Sequence, residues 1–191
     1  MFSDCSSISV LDIKNFDTSK VTDMSQLFYN LDKIESLDLS KFKTNNVENM
    51  NKMFMGLKSI KELKLNSFDT SKVTNMEQMF SGCSLLASLD VTSFNTNQVT
   101  KMFAIFQGCS QLVSINIEKF DTSLVDDMGY MFQNCQKLKT LNLGNNFNTE
   151  NVKDMVGMFE NCQVLESLDV STFKTSKVKD MSRMFQNCKA L

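Results

Sequence analysis

The chain has no histidine, no tryptophan and no proline among its 191 residues. The first absence removes the commonest general base and the commonest transition-metal ligand together. No apolar run approaches the roughly 18 to 20 residues that span a bilayer as a helix. The opening MFSDCSSISVLDIKNF also lacks the basic and then apolar regions of a secretory leader. Positive charge is thin as well. With a net charge of −2 and scattered lysines there is no footprint for DNA or RNA, and no nucleic-acid partner is expected. What is present, 42% apolar and 22% charged residues, is enough for an ordinary globular core.

The order of those residues is more telling than their amounts. Phe16, Phe42, Phe68, Phe94, Phe120, Phe147 and Phe173 recur every 26 residues, with one extra residue inside Gly144–Asn146. A second column runs through Phe2, Phe28, Phe54, Phe80, Phe106, Phe132, Phe159 and Phe185. Val21 to Val178 and Met24 to Met181 keep the same step. A fixed period of this length belongs to a solenoid, in which each unit buries its neighbours' apolar side chains. Residues 1–191 therefore read as a single array of about seven units. Met1 falls in the column of Met53, and Leu191 in that of Leu165, so the expectation is a piece of a longer array cut in mid-unit at both ends.

Each unit divides in two. In IESLDLSKF the alternation of Ile34, Leu37 and Leu39 with Ser36, Asp38 and Ser40 predicts a short strand with one buried face. Strands that always enter in the same direction imply a parallel sheet. In TSKVTDMSQLFYN the spacing of Val21, Met24, Leu27 and Phe28 predicts a short helix, with Thr18 or Ser19 as its N-cap. It should stop at Asn30, Gly56, Gly82, Gly108, Asn134, Asn161 and Asn187, residue types that tolerate a left-handed conformation. The fold class expected is thus α/β, one short parallel strand plus one short helix per 26-residue unit.

The strand pattern L-x-x-L-x-L, as in LKTLNL, resembles the leucine-rich repeat, with Phe replacing the usual Asn three residues after the last Leu. The fuller unit MFxxCxxLxxLDLSxFDTSxVxxM resembles the 26-residue BspA-like repeat of bacterial surface proteins, over the whole chain. The resemblance implies a leucine-rich-repeat-like solenoid displayed at a cell surface or secreted, in a family associated with adhesion and host interaction. It supplies no catalytic residue.

Several rows of side chains look chemical. Cys83, Cys109, Cys135, Cys162 and Cys188 share a column with Cys5, but Leu31 and Leu57 occupy the same column, so the site is apolar and suits a buried free thiol. Their spacing matches no zinc motif, and disulfides between stacked neighbours are the minor alternative. An unbroken row, Thr18, Thr44, Thr70, Thr96, Thr122, Thr149 and Thr175, suits helix capping or satisfaction of backbone groups between units better than a ligand-binding hydroxyl ladder. The 14 methionines sit at core spacing and serve packing better than metal or cofactor binding. No cofactor, metal or catalytic residue is expected.

The units differ where the sheet faces outward. Its central column reads Asp12, Asp38, Lys64, Asp90, Asn116, Asn142 and Asp169, flanked by Ser36, Glu62, Ser88, Ser114, Thr140 and Ser167. This row is either a solvated face or a shallow docking surface for a polar partner, protein or glycan. Lys64 and the lack of Gly-Asp repeats count against calcium. On the helical side, Phe103, Tyr130 and Val156 stand where other units carry mostly polar residues. They form either an apolar contact patch for a partner chain or domain, or a local repacking of the fourth unit.

An enzyme is the weakest class, since no nucleophile is paired with a base and no carboxylate pair escapes the repetition. A non-catalytic binding module for host or extracellular macromolecules comes first. A structural spacer or stalk, self-associating end to end through its edges, comes second.

Overall fold

The computed structural model describes residues 1–191 as one continuous stack of coils, each coil lying on its copy 26 residues away. The expected parallel pairing is present in part. β1 (Ser36–Asp38) pairs with β2 (Glu62–Lys64), and β3 (Ser114–Asn116) pairs with β4 (Thr140–Asn142), both in parallel and in the register of the repeat. A second parallel ladder on the other side of each coil joins Asp23, Asn49, Asn75 and Lys101, and then Asp127, Asp154 and Asp180.

The expected helix is absent from every unit, and the α/β assignment is corrected to a turn-built solenoid with short strands. The reason is visible in the third unit. Leu65 O accepts from Phe68 N, Thr70 O from Val73 N, Met76 O from Met79 N, Phe80 O from Cys83 N and Cys83 O from Leu86 N, at 2.9 to 3.2 Å. Each of these is a tight turn that carries a residue of the core, or the buried Thr70, at both ends. Apolar residues three apart are equally what a helical stripe requires, so over ten residues the two cannot be told apart by spacing.

What decides between them is where the intervening amides go. Met50, Lys52, Phe54 and Gly56 each donate to the next coil, to Asn75, Glu77, Met79 and Ser81, at 2.8 to 2.9 Å. In a helix those N–H groups would bond four residues back in their own segment. The backbone also turns left-handed twice per unit, for example at Lys52 (φ 55°) and Gly56 (φ 77°), which no α-helix survives. A helix this short is marginal alone, and stacking offers every amide a partner. Of the 84 backbone hydrogen bonds, 83 lie outside the named strands, so contact between coils and turns within them holds the fold.

The column expected to be left-handed is so: Asn30, Asn134, Asn161 and Asn187 have φ between 55° and 63°. Gly82 and Gly108 lie there with φ near 75° and 72°, and a methyl on either would touch the Cα of the glycine below at 3.5 Å. Where Asn fills the column its amide is used. Asn161 Nδ2 donates to Asn134 Oδ1 at 2.7 Å and Asn187 Nδ2 to Asn161 Oδ1 at 2.8 Å.

Inside the coils, 50 buried residues form one contiguous core. Phe28, Phe54, Phe80, Phe106, Phe132, Phe159 and Phe185 stack face to face with centroids 5.4 to 5.8 Å apart. Phe28 to Phe159 are fully buried, and each such ring contributes roughly 1.5 to 3 kcal/mol, while Phe185 at the end of the stack is exposed on its outer side.

The threonine row is the most regular polar feature, and it caps no helix. Thr70 Oγ1 donates to Asn95 O and accepts from Asn95 N, both at 2.8 Å. The same two-bond clamp joins Thr18 to Lys43, Thr44 to Asp69, Thr96 to Asp121, Thr122 to Asn148 and Thr149 to Lys174. Thr96→Val should therefore strip Asp121 of both backbone partners and cost about 2 to 4 kcal/mol in urea unfolding, whereas Thr96→Ser should cost far less. A larger loss for Thr96→Ser than for Thr96→Val would show that the methyl rather than the hydroxyl matters.

Candidate interaction surface

Alternation along each strand decides which side chains face outward. Leu37, Leu63 and Ile115 point into the core, while Ser36, Asp38, Glu62, Lys64, Ser114 and Asn116 are exposed. Asn142 is exposed at the end of β4, and Asp12, Ser88, Asp90 and Asp169 are exposed on the same face in the units before, between and after the two strand pairs. The outward residues singled out from the sequence thus share one surface.

The central column also has a local task. Asp12, Asp38, Asp90, Asn116, Asn142 and Asp169 each accept, through Oδ1, from the backbone N–H two residues on, at 2.8 to 3.2 Å. These side-chain turns close the strand end, and Asn serves as well as Asp. Hydrogen bonds from Ser40, Thr92 and Ser171 hold the carboxyls of Asp38, Asp90 and Asp169 below the usual range. A lowered folded-state value stabilises the fold above the unfolded value and is lost as pH falls through the folded one. This contribution therefore disappears in acid, below about pH 4.

The flanking row behaves differently. The hydroxyls of Ser36, Ser88, Ser114, Thr140 and Ser167 are exposed, and in contrast to the buried threonines none has a hydrogen-bond partner within the chain. Charge divides the face. Lys64 lies 3.5 Å from Glu62 on β2, whereas β3 and β4 carry no charged residue at all.

Shape divides it in the same place. A concavity of about 320 Å³ is lined by Ser114, Ile115, Asn116, Thr140, Leu141, Asn142 and Ser167. A second of about 160 Å³ adjoins it, sharing Leu141 and Asn142 and reaching Gly144, Asn145, Asp169 and Thr172. Leu141 is half-buried, unlike Leu37, Leu63 and Ile115 at the equivalent place. Leu168, the next residue in this column, is half-buried too, and the inserted residue in Gly144–Asn146 lies between the two. Gly144 has φ 73° and packs so closely on the backbone of Glu118 that no Cβ fits. The concavity and the part of Leu141 escaped the sequence reading, although the single break in the period was the signal for both.

On the opposite side, Phe103, Tyr130 and Val156 come together as half-buried neighbours. Phe103 meets Tyr130 edge-on at 5.7 Å, and a methyl on Gly129 would lie 3.4 Å from Phe103 and 3.2 Å from Val156. Tyr130 crosses Gly157 and accepts at its hydroxyl from Arg183 Nη2 at 2.7 Å, two units on. Beside this cluster, a crevice of about 250 Å³ opens between Glu77, Lys101, Phe103, Asp126 and Asp127. The second ladder is interrupted there, with no bridge between Lys101 and Asp127. Burial and then the carboxylates of Asp154, Asp126 and Glu77 push the Asp127 carboxyl up.

The cysteine column is a row of free thiols. Cys83, Cys109, Cys135 and Cys162 are fully buried, and each Sγ donates to the carbonyl of Phe54, Phe80, Phe106 or Phe132 at 3.2 to 3.3 Å. Burial pushes the thiols of Cys109 and Cys162 up to about 12. Raised folded-state values mean that this stabilisation is complete below about pH 8.5 and declines as pH rises towards 12. A thiol reagent at neutral pH should modify exposed Cys5 quickly and these four only on unfolding. Rapid native modification of all four would contradict the packing. No three of the Cys, Asp and Glu side chains converge on a metal-sized site, and no helix is long and apolar enough to cross a membrane.

Comparison with known proteins gives one family and a set of loose structural likenesses, three of which follow. The family model described as Mycoplasma protein of unknown function, DUF285, matches residues 1–115 and 106–191. A leucine-rich repeat protein from Eubacterium ventriosum is 18% identical over 82% of this chain and 40% of its own, with a TM-score of 0.47. One from Bacteroides ovatus is 20% identical over 91% of this chain and 52% of its own, with a TM-score of 0.49. The T. pallidum leucine-rich repeat protein is 18% identical over 74% and 69%, with a TM-score of 0.39. The chain spans about half or less of the first two. No curated protein matches it in sequence.

Proposed function

We propose that this chain, which belongs to the DUF285 family, is a non-catalytic interaction module that binds an extracellular protein or glycan through the exposed face of its short parallel strands. One observation carries the reading. Every buried threonine hydroxyl from Thr18 to Thr149 is committed to the stack, while the exposed row Ser36, Ser88, Ser114, Thr140 and Ser167 is committed to nothing. A face that varies from unit to unit over a core that does not is where a solenoid presents a ligand surface. Placement at a cell surface, and an adhesive role, follow from the BspA-like resemblance of the repeat. The outer edges of Phe103, Tyr130 and Val156 are a second contact region in this reading, and Phe103→Ser should weaken that contact.

The test is binding of the immobilised chain to matrix proteins, host-cell glycoproteins and polysaccharides at low and physiological salt. Beside it runs the triple variant Asp38→Asn, Asp90→Asn, Asp169→Asn. Asn keeps the strand-end turn, as Asn116 and Asn142 do, so the variant should fold. Saturable binding that the variant loses supports the module. Silence across the panel from folded protein overturns it in favour of a spacer or self-associating stalk.

A further inference from the structure

The sheet face is not uniform, and its two halves suit different partners. Across positions 88–92, 114–118, 140–144 and 167–171 the charged residues are Asp90, Glu118 and Asp169, all acidic. The β1–β2 half instead carries Lys64, which is paired with Glu62 and faces Asp38. Two adjoining concavities around Leu141 lie over β3, β4 and the unit after them. None of the twenty residues at those positions is aromatic, so there is no platform for a sugar ring. Ser88, Ser114, Thr140 and Ser167, with the amides of Asn116 and Asn142, can both donate and accept, as the backbone of an extended chain requires.

From these observations, and resting on the reading of this face as a docking surface, we infer that the β3–β4 half seats an extended cationic peptide segment. It lies along the stacking axis, with one lysine or arginine at Asp90 and another at Asp169. Those two carboxylates are three coils apart, about 14 Å at the ordinary strand spacing, which an extended chain covers in about four residues. Residues i, i+2 and i+4 of such a chain share a face. The segment is then a cation, a small residue over Asn116 and Asn142, and a second cation. The side chain at i+2 must be short because Leu141 and the two amides form a shallow floor. Hydrogen bonds from Thr92 and Ser171 keep both carboxyls ionised at neutral pH.

The experiment titrates the 191-residue chain, at physiological salt, with short synthetic peptides whose cores are Lys-Ser-Thr-Ser-Lys, its isomer Lys-Lys-Ser-Thr-Ser, and Glu-Ser-Thr-Ser-Glu. NMR amide shifts report both site and affinity. The spaced peptide should give saturable shifts over Ser88–Thr92, Ser114–Glu118, Thr140–Gly144 and Ser167–Ser171. It should bind up to about fivefold more tightly than the isomer, which can reach only one of the two carboxylates, the scale of one exposed ion pair. Asp90→Asn with Asp169→Asn should abolish that preference, and Asp38→Asn should leave it intact. Equal binding of the isomer, binding of the acidic peptide, or shifts confined to other surfaces overturns the inference. If the macromolecule panel binds through the face while the spaced peptide does not, the peptide seat falls and the interaction module stands. If neither binds, both fall.

Discussion

Every unit of this chain must hand its backbone hydrogen bonds to the unit that follows. That constraint shapes the sequence more strongly than any local propensity. In the third unit, Met76, Gln78, Phe80 and Gly82 have no acceptor within their own coil and find one in Lys101, Phe103, Ile105 and Gln107. A column therefore has to keep its backbone geometry from coil to coil, and side chains that set that geometry recur with it. The threonine clamp is the clearest case, because one hydroxyl satisfies both the N–H and the C=O of a residue in the adjacent coil. Serine could supply the same oxygen, but these threonines are buried, and serine would leave the volume of the methyl unfilled.

The same constraint accounts for the cysteines. A thiol at this column is small enough to be enclosed and polar enough to reach the carbonyl of a phenylalanine in the previous coil. Leu31 and Leu57 show that the bond is dispensable and the apolar volume is not. A buried thiol with its ionisation pushed far up is chemically quiet, which agrees with a packing role. The asparagine column solves a different problem with the same economy. It accepts the left-handed backbone and uses its side-chain amide to bond the asparagine above or below.

Much of this was legible before the structure. The period, the parallel pairing of some units, the buried columns and the left-handed column all follow from residue types at a fixed step. The helix did not follow. Val73, Met76, Met79, Phe80, Cys83 and Leu86 are spaced as in an amphipathic helix and are in fact corners of consecutive turns. Only the destination of the amides at Met76, Gln78 and Phe80 separates the two, and that destination is another coil, invisible to any short window. The strands were also overcounted, since Val10–Asp12, Ser88–Asp90 and Ser167–Asp169 stand at the strand position of their units without forming regular strands. That the outward residues of the sheet face share one surface was legible, because alternation alone decides it. The concavity around Leu141 was not, because it arises from how one inserted residue is absorbed by the stack.

That insertion shows how much irregularity the fold tolerates and where. The extra residue lengthens one coil between Asn142 and Phe147, yet the clamp from Thr122 to Asn148 and the ring contact from Phe132 to Phe159 are both kept. The core is therefore held in register, and the surplus is pushed onto the exposed face, where it deepens the surface beside β4. The substitution of Lys101 and Phe103 does the opposite on the far side. There the second ladder loses a bridge, and a crevice opens beside Phe103, whose ring packs on Tyr130 in the next unit. Departures from the repeat thus relax outward, away from the Phe and Thr columns. Units that must stack identically can still differ in what they present, and this separation lets a repetitive core carry a non-repetitive surface.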